Sequence, residues 1–294
     1  MRGECLKSVA AAAATVTDGS TVGIGGSISA GHPMAVIREL LRSGVRDLTI
    51  VAPTAGLEVD LLVAAGRVKR LITAYVGCEG VASVGPAYRS ALRDGSLEIS
   101  DYDEGICAAG LKAAAQKLPF LPWRGGVGTS LPELNPELVE FSDPISSEPL
   151  LAVPAISLDV AIVVAEAADR YGNAWFGRSR YMDPLLANAA ELVVVQAEEV
   201  IDNSEIRKHP ERTQYWTRAV VTEARFGTHP YAGPRSVRDE AALREYAEAA
   251  RRLGEGNDAP FREFMRRHVE SCVDHEHYLE AIGKARLAEL EVKP

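Results

Sequence analysis

The sequence is poor in cysteine, lacks an excess of basic residues and has no long apolar run. Its 294 residues include four cysteines, and no two of them form a CxxC pair. This usage excludes a disulfide scaffold, gives no zinc framework and is typical of a reducing compartment. With 32 Lys and Arg against 41 Asp and Glu, the formal net charge is −9. A nucleic-acid-binding protein usually needs a basic stripe, so the composition argues against that class.

No stretch is long and apolar enough to predict a membrane-spanning helix. The most apolar region, residues 150–168, is interrupted by Pro154 and Asp159, whereas a span needs roughly 20 apolar residues. Near the N-terminus, the Ala-rich residues 9–16 follow Glu4 and make a poor signal peptide. We therefore expect a cytoplasmic protein that does not associate with a membrane.

Short apolar runs alternate with amphipathic segments over most of the chain. Strands are predicted at residues 21–24, 48–52, 70–76, 97–100, 160–165 and 192–196, and helices at residues 6–17, 33–42, 57–65, 86–94 and 106–118. The later strands are apolar throughout, as in strands that are buried on both faces. The pattern predicts an α/β fold with an open, mainly parallel sheet and helices on both faces.

Two segments depart from this alternation. Residues 119–136 are rich in proline and glycine and are predicted to form a long irregular segment, which in a compact domain is often functional. From about residue 236 the chain is charged and helical, with helices predicted at residues 239–252 and 260–290. We therefore predict an α/β domain over residues 1–235 and a helical C-terminal extension, residues 236–294, that packs on it.

A glycine-rich loop at residues 23–31 joins the first predicted strand to the following helix. Glycine lets the backbone approach a ligand closely, and the amides of a helix N-terminus attract anions. The dinucleotide fingerprint needs a glycine where Ile28 stands, and no Gly-Lys-Ser/Thr follows for a P-loop. The loop is therefore either a tight strand-to-helix turn or a cradle for an acyl or phosphate group.

Acidic residues follow the strand predicted at residues 97–100. Asp101, Asp103 and Glu104 precede the next helix, and carboxylates in a first helical turn are stabilised by the helix dipole. Capping alone would explain them. Alternatively, Glu104 stands at the mouth of the sheet, where ligands of α/β proteins bind. Partial burial would then raise the pKa of Glu104 and let it act as a general base.

Other polar residues allow structural explanations as well as functional ones. Arg124 is the one cation of residues 118–130 and could bind a carboxylate or a phosphate, or the segment could be structural with Trp123 in the core. The sequence around Asp169 indicates a turn. His275 and His277 do not share a helix face, so we expect them at the surface. No GxSxG motif of a serine hydrolase occurs.

Several short motifs, taken together and in order, resemble the α subunits of class I coenzyme A transferases, most closely the glutaconate branch. The motifs are Gly25-Gly26-Ser27 with Pro33-Met34, Leu118-Pro-Phe-Leu-Pro, Leu158-Asp-Val-Ala, Gly172-Asn173-Ala174 and Gly227-Thr-His-Pro230. The resemblance covers roughly residues 5–232. It implies an α/β fold, a partner β subunit in an α2β2 assembly, and substrates that are an acyl-CoA and a carboxylate.

In that family a glutamate of the β chain forms a thioester with CoA. The corresponding turn here, Pro53-Thr54-Ala55-Gly56, has no carboxylate. The resemblance therefore implies that the nucleophile lies on the β chain and that this chain supplies substrate contacts. The residues so implied are Gly25, Gly26, Ser27, Ser29, Thr54 and Gly56. It also implies no metal and no tightly bound cofactor, because the CoA thioester is a substrate.

A narrower resemblance points to different chemistry. Asp103-Glu104-Gly105 and the following residues up to Arg124 are similar to the α subunit of the CoA-transferase-like hydrolase that opens the last steroid rings in bacterial cholesterol breakdown. There the matching glutamate does the chemistry, which implies a catalytic Glu104 with Arg124 nearby. The steroid enzymes carry a basic pair where this chain has Gly31-His32. A decarboxylase of glutaconyl-type thioesters and a non-catalytic binding protein are further alternatives.

Overall fold

The computed structural model describes residues 3–177 and 181–292, in which strands and helices alternate along most of the chain. The strands are β1 (Thr21–Ile24), β2 (Leu48–Val51), β3 (Thr54–Ala55), β4 (Val68–Thr73), β5 (Tyr75–Val76), β6 (Glu98–Asp101), β7 (Phe120–Trp123), β8 (Val139–Ser142), β9 (Pro149–Pro154), β10 (Leu158–Ala168), β11 (Asn173–Trp175), β12 (Ala190–Val200), β13 (Thr213–Tyr215) and β14 (Ala219–Glu223). The α-helices are α1 (Val9–Ala13), α2 (Met34–Ser43), α3 (Leu57–Ala64), α4 (Pro86–Asp94), α5 (Glu104–Ala115), α6 (Leu131–Leu134), α7 (Asp183–Ala189), α8 (Asn203–Ile206), α9 (Glu240–Gly254), α10 (Ala259–Met265), α11 (His275–Ile282) and α12 (Lys284–Leu290). Short 3₁₀ and π segments lie at Pro210–Arg212 and Arg266–Glu270.

The main sheet is built on parallel strands in the spatial order β14-β12-β10-β1-β2-β4-β6. β11 pairs antiparallel with the end of β10, beyond the point where β1 stops, and β13 pairs with β11. The first half of the chain adds strands on one side of β1, and the second half adds them on the side of β10. The strand order therefore reverses between β1 and β10. In open α/β sheets, ligands bind outside the carboxyl ends of the strands at such a reversal.

Helices cover both faces of the sheet. On one face, the largest apolar core joins α2, α3 and α9 through residues such as Ile37, Leu62 and Tyr246. On the other face, Ile106 of α5 and Leu186 of α7 pack in a second core. Because it is covered on both sides, β10 is buried along nearly its whole length. The predicted open, mainly parallel α/β sheet with helices on both faces is confirmed.

The prediction of an irregular segment at residues 119–136 is wrong in part. Residues 120–123 form β7, which pairs antiparallel with β9, and β9 pairs in turn with β8. Pro122 is tolerated because β7 has only one neighbour in this small sheet, so the missing N–H does not interrupt a central ladder. The prolines that predicted a loop therefore mark an edge strand.

The C-terminal region is helical as predicted, but its second helix is not continuous. The segment predicted as one helix at residues 260–290 is divided into α10, a π segment, α11 and α12. Asp274 starts α11 afresh, because its carboxylate accepts a hydrogen bond from the N–H of His277 at 3.0 Å. Tyr246 and Val269 of this region pack in the same core as the body of the fold. The domain boundary at residue 235 stays a prediction.

The N-terminal helix is shorter than the predicted residues 6–17. Leu6 instead forms a parallel bridge to Val221 of β14, and the N–H of Lys7 donates to the Val221 carbonyl at 2.8 Å. The start of the chain is thus tied to the edge of the sheet. Among the helices of the described residues, none combines the length and apolar character that a membrane crossing requires.

A buried polar cluster holds the C-terminal helices against the body. His229 contacts the hydroxyl of Tyr278 at 2.7 Å and the carboxylate of Asp239 at 3.2 Å. The guanidinium of Arg38 lies 3.5 Å from the centre of the Tyr278 ring and 3.4 Å from Nδ1 of His275. Burial, helped by the charge of Arg38, lowers the pKa of both His229 and His275 to about 4.

We expect acid to loosen this docking. In the folded chain both rings stay neutral to about pH 4, whereas an exposed histidine takes up a proton near pH 6.5. Above about pH 6.5 both rings are neutral in the folded and the unfolded chain, so they do not change the free energy of unfolding. As the pH falls from 6.5 toward 4, the unfolded chain takes up protons that the folded chain does not. At pH 5 this lowers the free energy of unfolding by about 2 kcal/mol for each ring. Hydrogen exchange of α11, corrected for intrinsic rates, should be faster at pH 5 than at pH 7.

His277 provides the matched control, because its ring is exposed and pairs with Asp274, the residue that caps the same helix. His277→Asn should leave the acid-induced loss of protection in place or slightly increase it, because the pairing with Asp274 raises the pKa of His277, whereas His275→Asn should reduce it. The buried carboxyls Asp60 and Asp183, whose pKa values burial raises to about 6, act in the opposite direction. Equal protection of α11 at both pH values would contradict the prediction.

Candidate active site

A pocket of about 320 Å³ opens where the strand order reverses, between the glycine-rich loop and the end of β10. It is lined by Ala30, Gly31, Val164, Glu166, Gly177, Ala232, Gly233 and Pro234. Most of these residues are small, so backbone lies close to the pocket. We call this pocket the crevice. Glu166 is its carboxylate, and it forms an ion pair with Arg212 at 2.9 Å. Sequence reasoning missed Glu166, because an acidic residue within an apolar strand carries no motif.

The glycine-rich loop is a well-bonded turn. Every backbone N–H from Gly25 to Gly31 has an acceptor, including the carbonyls of Ile162 and Ala232, each at 2.9 Å. The interpretation as a tight strand-to-helix turn accounts for this hydrogen bonding. The longest of these bonds, 3.3 Å, joins the N–H of Gly26 to Asp183. An anion that bound these amides would have to displace one of the existing acceptors.

Asp183 is a buried carboxyl group that sequence reasoning missed. It is 1% exposed and lies at the first residue of α7. A Cβ atom at position 25 would lie 2.4 Å from its Oδ1, so the close approach of Asp183 requires Gly25. Burial raises the pKa of Asp183 to about 6. The only signal in the sequence is the Asp183-Pro184 pair, which is typical of a helix start.

The structure brings the predicted substrate contacts together on two touching segments. The hydroxyl of Thr54 donates to that of Ser27 at 3.3 Å, and the N–H of Ile28 donates to the Thr54 carbonyl at 3.0 Å. The carbonyl of Ser29 accepts from Ala232, a residue of the crevice. Six of the seven predicted contacts, all except Arg124, lie on the glycine-rich loop or on the segment formed by β3 and Gly56, which we call the Thr54–Gly56 turn. Their role in substrate binding stays a prediction.

Behind these segments lies a buried group of three side chains that the sequence did not reveal. His32 and Glu58 are each 1% exposed, and Nδ1 of His32 lies 3.0 Å from Oε1 of Glu58. The same oxygen accepts the N–H of Gly56 at 2.9 Å. Tyr231 packs on His32 with ring centres 4.3 Å apart, and its hydroxyl accepts the N–H groups of Leu57 and Glu58. The one available signal in the sequence was Gly31-His32, at the position where the steroid enzymes carry a basic pair.

Glu104 lies on the solvent-exposed start of α5, not in the partly buried position considered above. Asp103 caps this helix, since its carboxylate accepts the N–H of Ile106 at 2.6 Å. Glu104 itself accepts a hydrogen bond from the hydroxyl of Tyr181. Tyr181 is only two residues from Asp183, which contacts the glycine-rich loop. The segment from Tyr181 to Asp183 therefore connects Glu104 to the loop, although no direct hydrogen bond joins them in the described residues.

Arg124 is exposed and forms an ion pair with Glu148, next to β9. In the described part of the chain, no hydrogen bond or ion pair connects it to Glu104. Trp123 is half-buried and packs on the second core, and a Cβ atom at position 105 would lie 3.0 Å from its ring. The segment is thus anchored by Trp123, as the structural alternative expects, while Arg124 points to solvent.

The remaining polar residues have structural roles. Asp169 is buried and accepts hydrogen bonds from Tyr171, Asn173 and Asn203, which confirms the predicted turn. The prediction that both His275 and His277 lie at the surface is right for His277 and wrong for His275, which is buried with its Nε2 2.8 Å from the carbonyl oxygen of Arg225. Within the described residues, no cluster of His, Cys, Asp and Glu is arranged to hold a metal ion.

Comparison with known proteins identifies the family of this fold and site. The sequence model of the coenzyme A transferase family matches residues 6–224. The IpdA component of the cholesterol ring-cleaving hydrolase of Mycobacterium tuberculosis is 38% identical, over 81% of this chain and 86% of its own. One of the subunits of glutaconate CoA-transferase from Acidaminococcus fermentans is 30% identical, over 95% of this chain and 92% of its own.

Solved structures agree with the sequence comparison. The crystal structure of glutaconate coenzyme A-transferase from Acidaminococcus fermentans has a TM-score of 0.92 at 29% identity, covering 99% of this chain and 96% of that one. The decarboxylase AibA/AibB has a TM-score of 0.75 at 26% identity, covering 90% of this chain and 99% of that one. The chain therefore belongs to the coenzyme A transferase family and corresponds to its α subunits.

Proposed function

We propose that this chain is the α subunit of a heteromeric enzyme that moves CoA between carboxylic acids, with the nucleophilic glutamate on a β subunit. The observation that carries the proposal is the state of the carboxylates around the crevice. Glu58 is fully buried behind the Thr54–Gly56 turn, and Glu166 is paired with Arg212. Neither is free to attack a thioester. The relatives that are named as subunits of such enzymes support a partner chain.

In the proposed reaction, a partner carboxylate attacks the acyl-CoA carbonyl and releases CoA thiolate, which leaves an acyl anhydride. The thiolate then attacks the partner's side of the anhydride, which releases the first carboxylate and forms a partner–CoA thioester. The incoming carboxylate repeats these two steps in reverse to give the new acyl-CoA, and neither step requires a metal. This chain would contribute the hydroxyls of Ser27 and Thr54, which contact each other where the glycine-rich loop meets the Thr54–Gly56 segment. Hydroxyl donors of this kind can orient a thioester or carboxylate oxygen. CoA itself would be a substrate and not a resident cofactor, and the phosphate contacts would come from local cations, since the chain as a whole is acidic.

The test is product analysis with the α–β complex. Co-expression with a family β chain should give a stable complex, and size-exclusion chromatography should show an α2β2 stoichiometry. Acyl-CoA consumption should depend on an added carboxylate and should yield the new acyl-CoA in equal amount. Consumption without an acceptor that releases free CoA or carbon dioxide would contradict transfer and favour hydrolysis or decarboxylation. Binding without turnover would indicate a non-catalytic protein.

A second function, hydrolysis or decarboxylation with Glu104 as base, is favoured by one observation. Glu104 is exposed and accepts the Tyr181 hydroxyl at the end of a segment that reaches the glycine-rich loop. The relatives named as a ring-cleaving hydrolase and a decarboxylase show that the family is not limited to transfer.

Glu104→Gln separates the two functions. If the enzyme is a transferase, we expect turnover within about threefold of the wild type, because a side chain outside the chemistry changes rates little. If Glu104 is the general base, turnover should fall about 10²–10⁴-fold with the complex intact. The control is Glu133→Gln, which changes an exposed glutamate of α6. The measurement is kcat for both complexes with the preferred acyl-CoA, alongside their size-exclusion profiles.

A further inference from the structure

His32 is an unusual buried group. It is 1% exposed, and neither of its ring nitrogens has a hydrogen-bond partner in residues 3–177 and 181–292. Nδ1 lies within 3.0 Å of Glu58, but the approach is too oblique for a hydrogen bond. Oε2 of Glu58 is also buried without a partner. Because buried polar atoms are nearly always paired, two adjacent side chains with unpaired atoms require an explanation.

The position of the His32 ring explains why its nitrogens are unpaired. A Cβ atom at Gly26 would lie 2.7 Å from Nδ1 of His32, and one at Gly56 would lie 3.0 Å from Nε2. The imidazole therefore fills the space between the glycine-rich loop and the Thr54–Gly56 turn. On a third side it packs on Tyr231. The ring therefore keeps Gly26 and Gly56 apart, whereas at Ile28 and Thr54 the same two segments are joined by a backbone hydrogen bond of 3.0 Å.

The charges around the ring make its position sensitive to a proton. Carboxylates face it from two elements, Glu58 of α3 and Asp183 of α7, and the phenol of Tyr231 faces it from the loop after β14. The guanidinium of Arg38 lines the same buried space as Glu58. A buried carboxylate without a compensating partner is costly, and the imidazole of His32, 3.0 Å away, is the group placed to compensate Glu58. A small rotation of the ring would turn the 3.0 Å contact into a hydrogen bond and would press the ring toward one of the glycines.

We propose that His32 is a positioning residue, which couples a proton shared with Glu58 to the spacing of the two segments that bind the acyl-CoA. The inference rests on the proposed function, because it assigns the substrate to these segments. The ring does not touch the substrate. Its protonation changes the fit of the crevice, and so affects KM more than the chemical step.

The first experiment measures KM and kcat for the preferred acyl-CoA from pH 5.5 to 8.5 in the α–β complex. In the wild type KM should change by about tenfold across this range. In His32→Gln and Glu58→Gln the change should shrink to about twofold, and KM should move more than kcat. His277→Asn is the control, because its ring is exposed on α11. A folded His32→Gln complex with the wild-type pH profile of KM would overturn the proposal.

A second experiment, NMR titration of the His32 ring, does not require an active enzyme. In the chain labelled with ¹⁵N-histidine, His32 is identified by the signal that His32→Gln removes. Glu58→Gln should move the titration midpoint of that ring by about one pH unit or more, and CoA thioester should shift the signal. An unchanged titration in Glu58→Gln would overturn the coupling even if the complex proves inactive. If His32→Gln does not fold, His32→Asn identifies the signal and Glu58→Gln decides both readouts. A shifted titration with no acyl-CoA turnover would contradict the proposed function and leave the coupling in place.

Discussion

Purified without a β chain, this chain is expected to turn over acyl-CoA at least about 10⁴-fold more slowly than the α–β complex. The reason is that the carboxylates near the crevice in the described residues are buried or paired. Glu58 lies behind the Thr54–Gly56 turn, Asp183 is buried beneath the glycine-rich loop, and Glu166 is held by Arg212. Loss of a nucleophile costs roughly 10⁴–10⁶-fold in enzymes that act through a covalent intermediate. Acyl-CoA exchange followed by chromatography measures the difference.

The decisive control is a complex whose β chain carries Ala in place of its nucleophilic glutamate. It should be as slow as the isolated α chain while keeping the size and melting temperature of the intact complex. Adding β chain to purified α chain should restore turnover in proportion to the complex formed. A rate for the isolated α chain within tenfold of the complex would show that one of its own carboxylates acts, and Glu104→Gln in the isolated chain would then test the exposed candidate.

The sheet and the approximate place of the site could be predicted from the sequence because both depend on local patterns. Apolar runs identify β1, β2, β10 and β12, since strands covered on both faces have no polar side. Parallel strands put their carboxyl ends at one edge, so the residues after β1 and β2 had to lie close together. The contact of Ser27 with Thr54 is the result. The crevice at the reversal between β1 and β10 depends on strand order, which alternation alone does not give.

The buried charges could not be predicted, because each depends on residues far apart in the sequence. Glu58 lies 26 residues from His32, and Asp183 lies 157 residues from Gly26, whose N–H it accepts. No spacing rule connects such positions. The same limit explains the error at His275, which helical spacing placed at the surface. Its burial results from the docking of α11 on Arg38 and the carbonyl of Arg225. Local pattern indicates the strands, and long-range packing decides which polar groups are buried.

Replacing Gly56 with Ala should strongly damage both stability and substrate binding. The backbone of Gly56 is extended, with φ −92° and ψ −160°, so alanine suits its conformation. The added methyl group would nevertheless lie 2.4 Å from Oε2 of Glu58, 2.7 Å from the Tyr231 hydroxyl and 3.0 Å from Nε2 of His32. These side chains are fully buried and have little room to move. Overpacking of this kind costs about 1–3 kcal/mol of unfolding free energy.

Gly56→Ala should also weaken substrate binding, because the clash is relieved only if the Thr54–Gly56 turn moves away from His32. The Thr54 hydroxyl would then separate from Ser27, and we expect KM for acyl-CoA to rise about tenfold or more in the complex. Gly254→Ala is the matched control. It lies at the end of α9, where the nearest atoms to a new Cβ are at an ordinary 3.4 Å, so stability should be unchanged or slightly increased. Urea unfolding of both variants gives the comparison. A Gly56→Ala chain as stable as the wild type would show that His32, Glu58 and Tyr231 are not fixed in place, and it would remove the packing argument for a positioned turn.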